Sequence, residues 1–394
     1  MVYLSYNSED QEGIPMHILI LSCNTGGGHN SAGRAVAEEL RRRGHTADVV
    51  DFLALAGKKV SSYVSGTYIG MVKIAPAAFG CTYALGRAVS SAGHKLGVRS
   101  PVYFACARVI PGLEAYLREH PCDAIVAPHT FPALALTEMK RRGIRLPLTL
   151  AVATDYTCTP FFEEEACDYT VIPSEGCADD FVRRGIARET LLPFGIPVSA
   201  AFSMRRTRED ALRALGLDPL CKLIVVMGGS MGAGHIGSLA RSILELTGER
   251  VHLVIICGSN KRLRDSMSER YKNNARVEVI GKTDKVALYM AACDVFYSKP
   301  GGITSTEAAT MGVPLVHMTP IPGCEPHNRR LFVENGMSVS VSGAAAHSQA
   351  AAGVRLLFDA KLRESLVREQ HRFIRGNAAE DIADFIENGA GVTV

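Results

Sequence analysis

Histidine 29 follows three glycines at the end of a short apolar strand, Ile18-Leu19-Ile20-Leu21-Ser22 running into Thr25-Gly26-Gly27-Gly28-His29. An imidazole there can take a proton near neutral pH. A second candidate for the same task is the carboxylate of Asp155, in Ala153-Thr154-Asp155-Tyr156 at the C-terminal end of an apolar strand, where α/β sheets place functional groups. Some 200 residues after the first turn comes another, Leu223-Ile224-Val225-Val226-Met227 followed by Gly228-Gly229-Ser230-Met231-Gly232-Ala233-Gly234. It lacks the Lys-[Ser/Thr] of a P-loop and does not fit the dinucleotide fingerprint. It leaves a backbone cradle for a diphosphate, with the Ser230 hydroxyl as an added donor.

Downstream, Ser298-Lys299-Pro300-Gly301-Gly302-Ile303-Thr304-Ser305-Thr306-Glu307-Ala308 combines a sharp turn with a helix start, which favours an anion. Glu307, one turn in, is spaced to accept two ribose hydroxyls, although a first-turn acid also simply suits the helix dipole. In Pro320-Ile321-Pro322-Gly323-Cys324-Glu325-Pro326-His327-Asn328, Glu325 and Asn328 can read sugar hydroxyls or cap a helix.

These groups need a scaffold. Strand-like runs at 17–23, 46–52, 123–127, 147–153 and 168–172 alternate with helical stretches such as 31–43, and a cleaner set follows at 223–227, 251–256, 276–280, 294–297 and 314–318. Short β-rich runs between helices predict parallel sheets covered on both faces. The 394 residues suit two α/β domains. Phe194-Gly195-Ile196-Pro197-Val198 reads as the linker, giving an N-terminal domain over 1–195 and a C-terminal one over 196–394, with 205–216 as its first helix.

A net charge of +3 is too mild to argue for nucleic acid. The 11 scattered cysteines have no zinc-finger spacing and read as thiols of a reducing cytosol. The N-terminal stretch, with Glu9, Asp10 and Glu12, has no signal-like or membrane-spanning run. Residues 57–110 depart from the rhythm. They contain Lys58, Lys59, Lys73, Arg87, Lys95, Arg99 and Arg108 and no Asp or Glu, interleaved with Tyr63, Tyr68, Ile69, Met71, Val72, Ile74, Phe79, Tyr83, Leu85, Tyr103 and Phe104. That mixture suits an anionic membrane surface, or a helical insertion with a solvated basic face.

In order and spacing, the Gly-Gly-Gly-His turn, Gly-Gly-Ser-x-Gly, Ser-Lys-Pro-Gly-Gly-x-Thr-x-x-Glu-Ala and Pro-x-Pro-Gly-x-Glu-x-x-Asn resemble the family of monogalactosyldiacylglycerol synthases and processive diacylglycerol glucosyltransferases, glycosyltransferases of the family 28 type. The resemblance implies an α/β GT-B architecture of two Rossmann-like domains facing across a cleft, with a C-terminal helix packing back on the first. It implies an inverting transfer of glucose or galactose from a UDP-sugar to diacylglycerol or glycosyl-diacylglycerol, without a metal or other cofactor. The enzyme would be peripheral, on the cytoplasmic face of the cell membrane through 57–110. By residue, it implies Gly229, Ser230 and Gly232 at the diphosphate and Pro300, Gly301, Gly302 and Thr304 beside the nucleotide. Ile280 would lie at the uracil, Glu307 on the ribose, Glu325 and Asn328 on the sugar, and His29 and Asp155 at the reaction centre. Where the family often has His and then Trp after its Thr-Asp-Tyr/Phe, this chain has Thr159 and Phe161/Phe162, and it contains no Trp. Another lipid or small-molecule acceptor, a UDP-sugar epimerase and a non-catalytic UDP-sugar sensor are the competing readings.

Overall fold

A computed structural model describes residues 14–24, 27–74, 76–232, 234–341 and 345–389. Glu9, Asp10, Glu12, Thr25, Gly26 and Ala233 lie outside them, as do the side chains of Lys58, Tyr68, Ile69, Met71, Val72, Lys73, Ile74, Phe79 and Lys95.

Two six-stranded parallel sheets carry the site. The first is built from β1 (His17–Ser22), β2 (Thr46–Asp51), β3 (Ala124–Ala127), β4 (Leu148–Val152), β5 (Tyr169–Val171) and β6 (Leu191–Leu192). Its order is β2-β1-β3-β4-β5-β6. The second comprises β7 (Lys222–Met227), β8 (Val251–Ile256), β9 (Val277–Ile280), β10 (Val295–Ser298), β11 (Leu315–His317) and β12 (Val339–Ser340). Its order is β12-β11-β10-β7-β8-β9. Continuous apolar runs form the central strands because helices cover both faces: Ile18–Leu21 and Leu223–Val226 are fully buried.

Strand order decides where ligands go. The strand order of each sheet reverses once, between β1 and β3 in the first and between β7 and β10 in the second. At such a switch point the loops leave to opposite faces and open a crevice at the carboxyl ends of the strands. The turns after β1 and β3 hold His29 and His129; those after β7 and β10 hold Ser230 and Lys299–Gly302.

The helix after β1, Gly27–Arg42, begins inside the glycine turn, earlier than its apolar spacing predicts, so His29 sits in its first turn. Gly27 and Gly28 are not among the residues with positive φ. They are small for the sake of approach: a Cβ on Gly27 would lie 2.6 Å from Ser230 Oγ, and one on Gly28 3.2 Å from Ile303. The C-terminal Ala378–Gly389 helix packs on the first sheet, burying Ile382, Ala383 and Ile386 with Ile18, Val36 and Val126. Arg43, bonded to Glu39, also pairs with Asp384 and Glu387 of that helix.

Candidate active site

The first switch point holds a small cavity of mixed lining, with His29, His129, Thr154, Asp155 and Thr159 on its polar side and Pro128, Val152, Ala153 and Phe162 on its apolar side. His29 Nδ1 lies 2.8 Å from the carbonyl of Pro128 and 3.0 Å from Thr154 Oγ1. A carbonyl only accepts, so Nδ1 carries the proton and Nε2 is left with its lone pair. Burial lowers the His29 pKa below the ordinary value, against the raising charge of Asp155 and the bond to Pro128. The ring is therefore a neutral base at pH 7. It is oriented by Pro128 and Thr154, whereas Asp155 acts on it through charge.

His129 stands edge-on to His29, ring centroids 4.4 Å apart. Its Nδ1 accepts the Phe131 N–H and caps the Thr130–Arg141 helix. Burial, then the neighbouring His29, hold its pKa well below the usual range. Sequence reasoning passed over this residue. Its signal was present, since Pro128-His129-Thr130 ends a buried run, but the adjacency of β1 and β3 makes it matter.

The two sheets meet across the cleft at the Thr154–Tyr156 loop. A Cβ on Gly302 would lie 2.0 Å from the Thr154 carbonyl oxygen, so the Pro-Gly-Gly turn rests on that backbone. Tyr156 OH meets Thr306 Oγ1 at 2.6 Å. Asn328 is fully buried, and its Oδ1 accepts the Tyr156 N–H at 2.9 Å. Its Nδ2 donates to Asp155 Oδ1 at 2.8 Å and to the Pro300 carbonyl at 3.0 Å. Both amide hydrogens are thus committed to protein acceptors, and Asn328 is placed as a tie between the sheets and an anchor for Asp155. Glu325 Oε1 pairs with Lys299, and its Oε2 accepts the Ile321 N–H at 2.8 Å. In this state neither expected sugar reader has its carboxylate or amide hydrogens idle.

On the donor side, Gly229 and Gly232 have φ of 71° and 58°, in the region that favours glycine. A Cβ on Gly232 would also strike the Cys257 carbonyl at 2.2 Å. Ser230 is exposed, and its carbonyl accepts the Ser259 N–H at 2.9 Å. The Gly302–Met311 helix starts at Gly301 without a side-chain cap, so its first N–H groups, including those of Gly302 and Thr304, are open to an anion. Ile280 ends the edge strand β9, with its carbonyl taken by the Cys257 N–H at 2.8 Å. Glu307 has no hydrogen-bond partner among the described residues, and burial pushes its pKa up to about 8. A half-buried carboxyl without a protein partner invites hydroxyl donors.

Among the described residues no group of three His, Cys, Asp or Glu could hold a metal ion, and no helix is long and apolar enough to cross a membrane. Residues 57–110 are helical: Lys58–Ile74, Pro76–Leu96, Pro101–Ala107 and the start of Ile110–Glu119. They do not present one face. Tyr103, Val109 and Ile110 belong to the core, while Tyr63, Leu85, Leu96 and Phe104 are exposed.

Comparison with known proteins matches this architecture. Residues 29–198 match the family described as monogalactosyldiacylglycerol (MGDG) synthase, and 223–371 match the glycosyltransferase family 28 C-terminal domain. The chain is 25% identical over 328 residues to a processive diacylglycerol beta-glucosyltransferase of Bacillus subtilis (strain 168), covering 82% of this chain and 83% of that one. The same-named protein of Staphylococcus saprophyticus is 30% identical over 227 residues, 56% of each chain. Two solved structures share the fold at low identity. MurG of Acinetobacter baumannii has a TM-score of 0.60 at 14% identity, covering 95% of this chain and 100% of that one. MnaA of S. aureus, solved with UDP, has a TM-score of 0.62 at 13% identity, covering 95% and 96%.

Proposed function

We propose, from the premise that this chain belongs to the family of monogalactosyldiacylglycerol synthases and family 28 glycosyltransferases, that it moves one hexose from a UDP-sugar to diacylglycerol or glycosyl-diacylglycerol at an anionic membrane surface. One observation carries the reading. A neutral histidine with its Nδ1 fixed on a carbonyl stands in the turn that touches Ser230 and Ile303, the two elements assigned to the donor. His29 Nε2 takes the proton of the acceptor hydroxyl as its oxygen bonds to C1 of the hexose. The bond from C1 to the diphosphate breaks, the electron pair leaves with UDP, and the configuration at C1 inverts. Asp155 stabilises the imidazolium by charge, as its raising effect on His29 indicates. The Gly229–Gly232 turn and the Gly302–Met311 helix start face the leaving diphosphate, and Glu307 receives the ribose hydroxyls.

The acceptor side favours a lipid. Tyr63, Leu85, Leu96 and Phe104 project from the helices of 57–110 beside exposed Lys59 and Arg108, with no carboxylate in the segment. Anionic headgroups attract the cations while the apolar side chains enter the interface.

A radiolabel transfer assay tests the reading. Purified protein is mixed with diacylglycerol in anionic vesicles and UDP-[14C]glucose, or in parallel UDP-[14C]galactose, and the lipids are resolved by thin-layer chromatography. A labelled glycolipid is expected with one donor, and more than one labelled species would reveal serial addition. No labelled lipid with either donor, from protein that binds UDP, would overturn the lipid acceptor.

A further inference from the structure

Lys299 opens the turn after β10, and its side chain lies between that turn and the glycine turn after β7. A Cβ on Gly229 would sit 2.5 Å from Lys299 Cε, and one on Gly301 would sit 3.3 Å from Lys299 Nζ. Both turns are small where this side chain passes. Its ammonium is paired with Glu325 Oε1, and the two side chains are only 17% and 9% exposed. Glu325 outweighs the cost of burial and holds the Lys299 pKa above its ordinary value, so the amine stays charged.

A buried ion pair is a poor way to gain stability, because desolvation offsets most of its attraction. This pair stands where the reaction needs charge. The departing nucleotide carries a diphosphate, and a helix N-terminus supplies only about half a positive charge. The Lys299 side chain runs along both turns assigned to that diphosphate, with its Cε nearest Gly229 and its ammonium nearest Gly301.

We propose that Lys299 is the counter-charge for the leaving diphosphate and that Glu325 holds it in reserve. Resting on the donor-site reading above, the exchange runs as follows. When the UDP-sugar enters, the ammonium leaves Glu325 Oε1 for a β-phosphate oxygen, and the released carboxylate oxygen accepts a hydroxyl of the hexose. Lys299 keeps its proton throughout. The electron pair of the C1–O bond goes to the diphosphate, which the ammonium neutralises, and the acceptor proton goes to His29. Glu325 thus contacts the sugar only after Lys299 has met the diphosphate, which couples recognition of the two halves of the donor.

The test is calorimetric titration of the full chain with UDP, UMP and uridine, in wild type and in Lys299→Met, Lys299→Arg and Glu325→Gln. Lys299→Met should weaken UDP by about 10–100-fold, the scale of a lost hydrogen bond to a charged group. It should weaken UMP less and leave uridine unchanged. Lys299→Arg, which keeps the charge, should recover most of the UDP affinity. Glu325→Gln should bind UDP more tightly than wild type, because the ammonium is no longer held, while its hexose transfer falls. An unchanged UDP affinity in Lys299→Met, or an equal loss for uridine and UDP, overturns the proposal. So does a Glu325→Gln protein that binds UDP more weakly, and that variant decides the matter if Lys299→Met fails to fold. Wild-type protein that binds no UDP would instead bring down the donor-site reading itself.

Discussion

Replacing Gly302 by alanine should separate chemistry from donor binding. At the first position of the Gly302–Met311 helix, alanine suits the backbone, since Gly302 is not among the residues with positive φ. Helix propensity alone predicts a gain of up to about 1 kcal/mol. The cleft predicts the opposite for activity. The new Cβ would lie 2.0 Å from the Thr154 carbonyl oxygen, 2.9 Å from its carbon and 3.1 Å from Asp155 Cα. All three are backbone atoms, so no side-chain rotation relieves the contact. Comfortable nonbonded separations begin near roughly 3.5 Å, so the two loops must part by about 1–1.5 Å. That moves the donor-side helix start away from His29 and Asp155. A misplacement of about 1 Å costs on the order of 10²-fold in rate, or about 2.7 kcal/mol of barrier. Steady-state transfer of labelled hexose should show kcat reduced by that factor, with the Kd for UDP changed only a few-fold. Gly301→Ala is the comparison without a backbone clash, since its Cβ meets side-chain atoms, Lys299 Nζ at 3.3 Å and Glu325 Oε1 at 3.9 Å, and should leave the separation of the loops unchanged. A Gly302→Ala enzyme with wild-type kcat would refute the closed cleft as the reactive geometry.

His29→Ala should abolish turnover and leave UDP binding intact; loss of binding as well would move His29 off the acceptor side. Because burial lowers the His29 pKa below 6.5, kcat/KM should be flat at neutral pH and fall only as pH drops below the ordinary histidine range. A limb above that range would contradict the neutral base. Glu307 has a folded-state pKa of about 8 against an ordinary 4.5, so the folded form binds more protons and stability falls as pH rises between those values. Glu307→Gln should therefore raise the Tm, more at pH 8 than at about pH 5, while weakening UDP by roughly 1–3 kcal/mol; an unchanged UDP affinity would remove it from the ribose. Asn328→Ala should cost about 1–3 kcal/mol of stability by orphaning the buried Tyr156 N–H, and should lower kcat through Asp155. Denaturant titration and transfer rates check the two halves, and a loss of stability without a loss of rate would end its role in placing Asp155.

The central strands were legible because their apolar runs are buried on both faces; each expected strand is present to within a residue or two. β6 and β12 were not, since two-residue edge strands such as Leu191–Leu192 have no pattern to read. The glycine turns were legible as places of close approach, but not what they approach. Gly27 and Gly28 meet Ser230 and Ile303 from the other sheet, and no local spacing carries that contact. His129 became part of the site only through the order of β1 and β3. Glu325 and Asn328 were visible as polar groups in a turn. Their present partners, Lys299 and Asp155, are separated from them by 26 and 173 positions.

The chain's departure from its family after the Thr-Asp-Tyr strand end can be followed into the fold. Thr159 lines the cavity with His29 and Asp155, where a hydroxyl leaves room that an imidazole would fill. Phe161 stands two residues on with φ 69°, a conformation that costs a bulky residue about 1–3 kcal/mol. The surroundings hold it there. Its ring lies 3.2 Å from where a Cβ of Gly86 would be, and its N–H donates to Ser90 Oγ at 3.0 Å. Ser90 in turn donates to Glu163 at 2.7 Å, which Arg184 also binds at 2.7 Å, and Glu164 accepts the Ser100 N–H at 2.9 Å. The Pro76–Leu96 helix is therefore braced onto the loop that carries Asp155. On the proposed function, that helix is also the one that projects Leu85 and Leu96 toward lipid. Docking at the surface and alignment of the acceptor with His29 then share one rigid connection. On that reading, loosening the Phe161–Ser90–Glu163 brace should disturb acceptor alignment even though none of its side chains reaches His29.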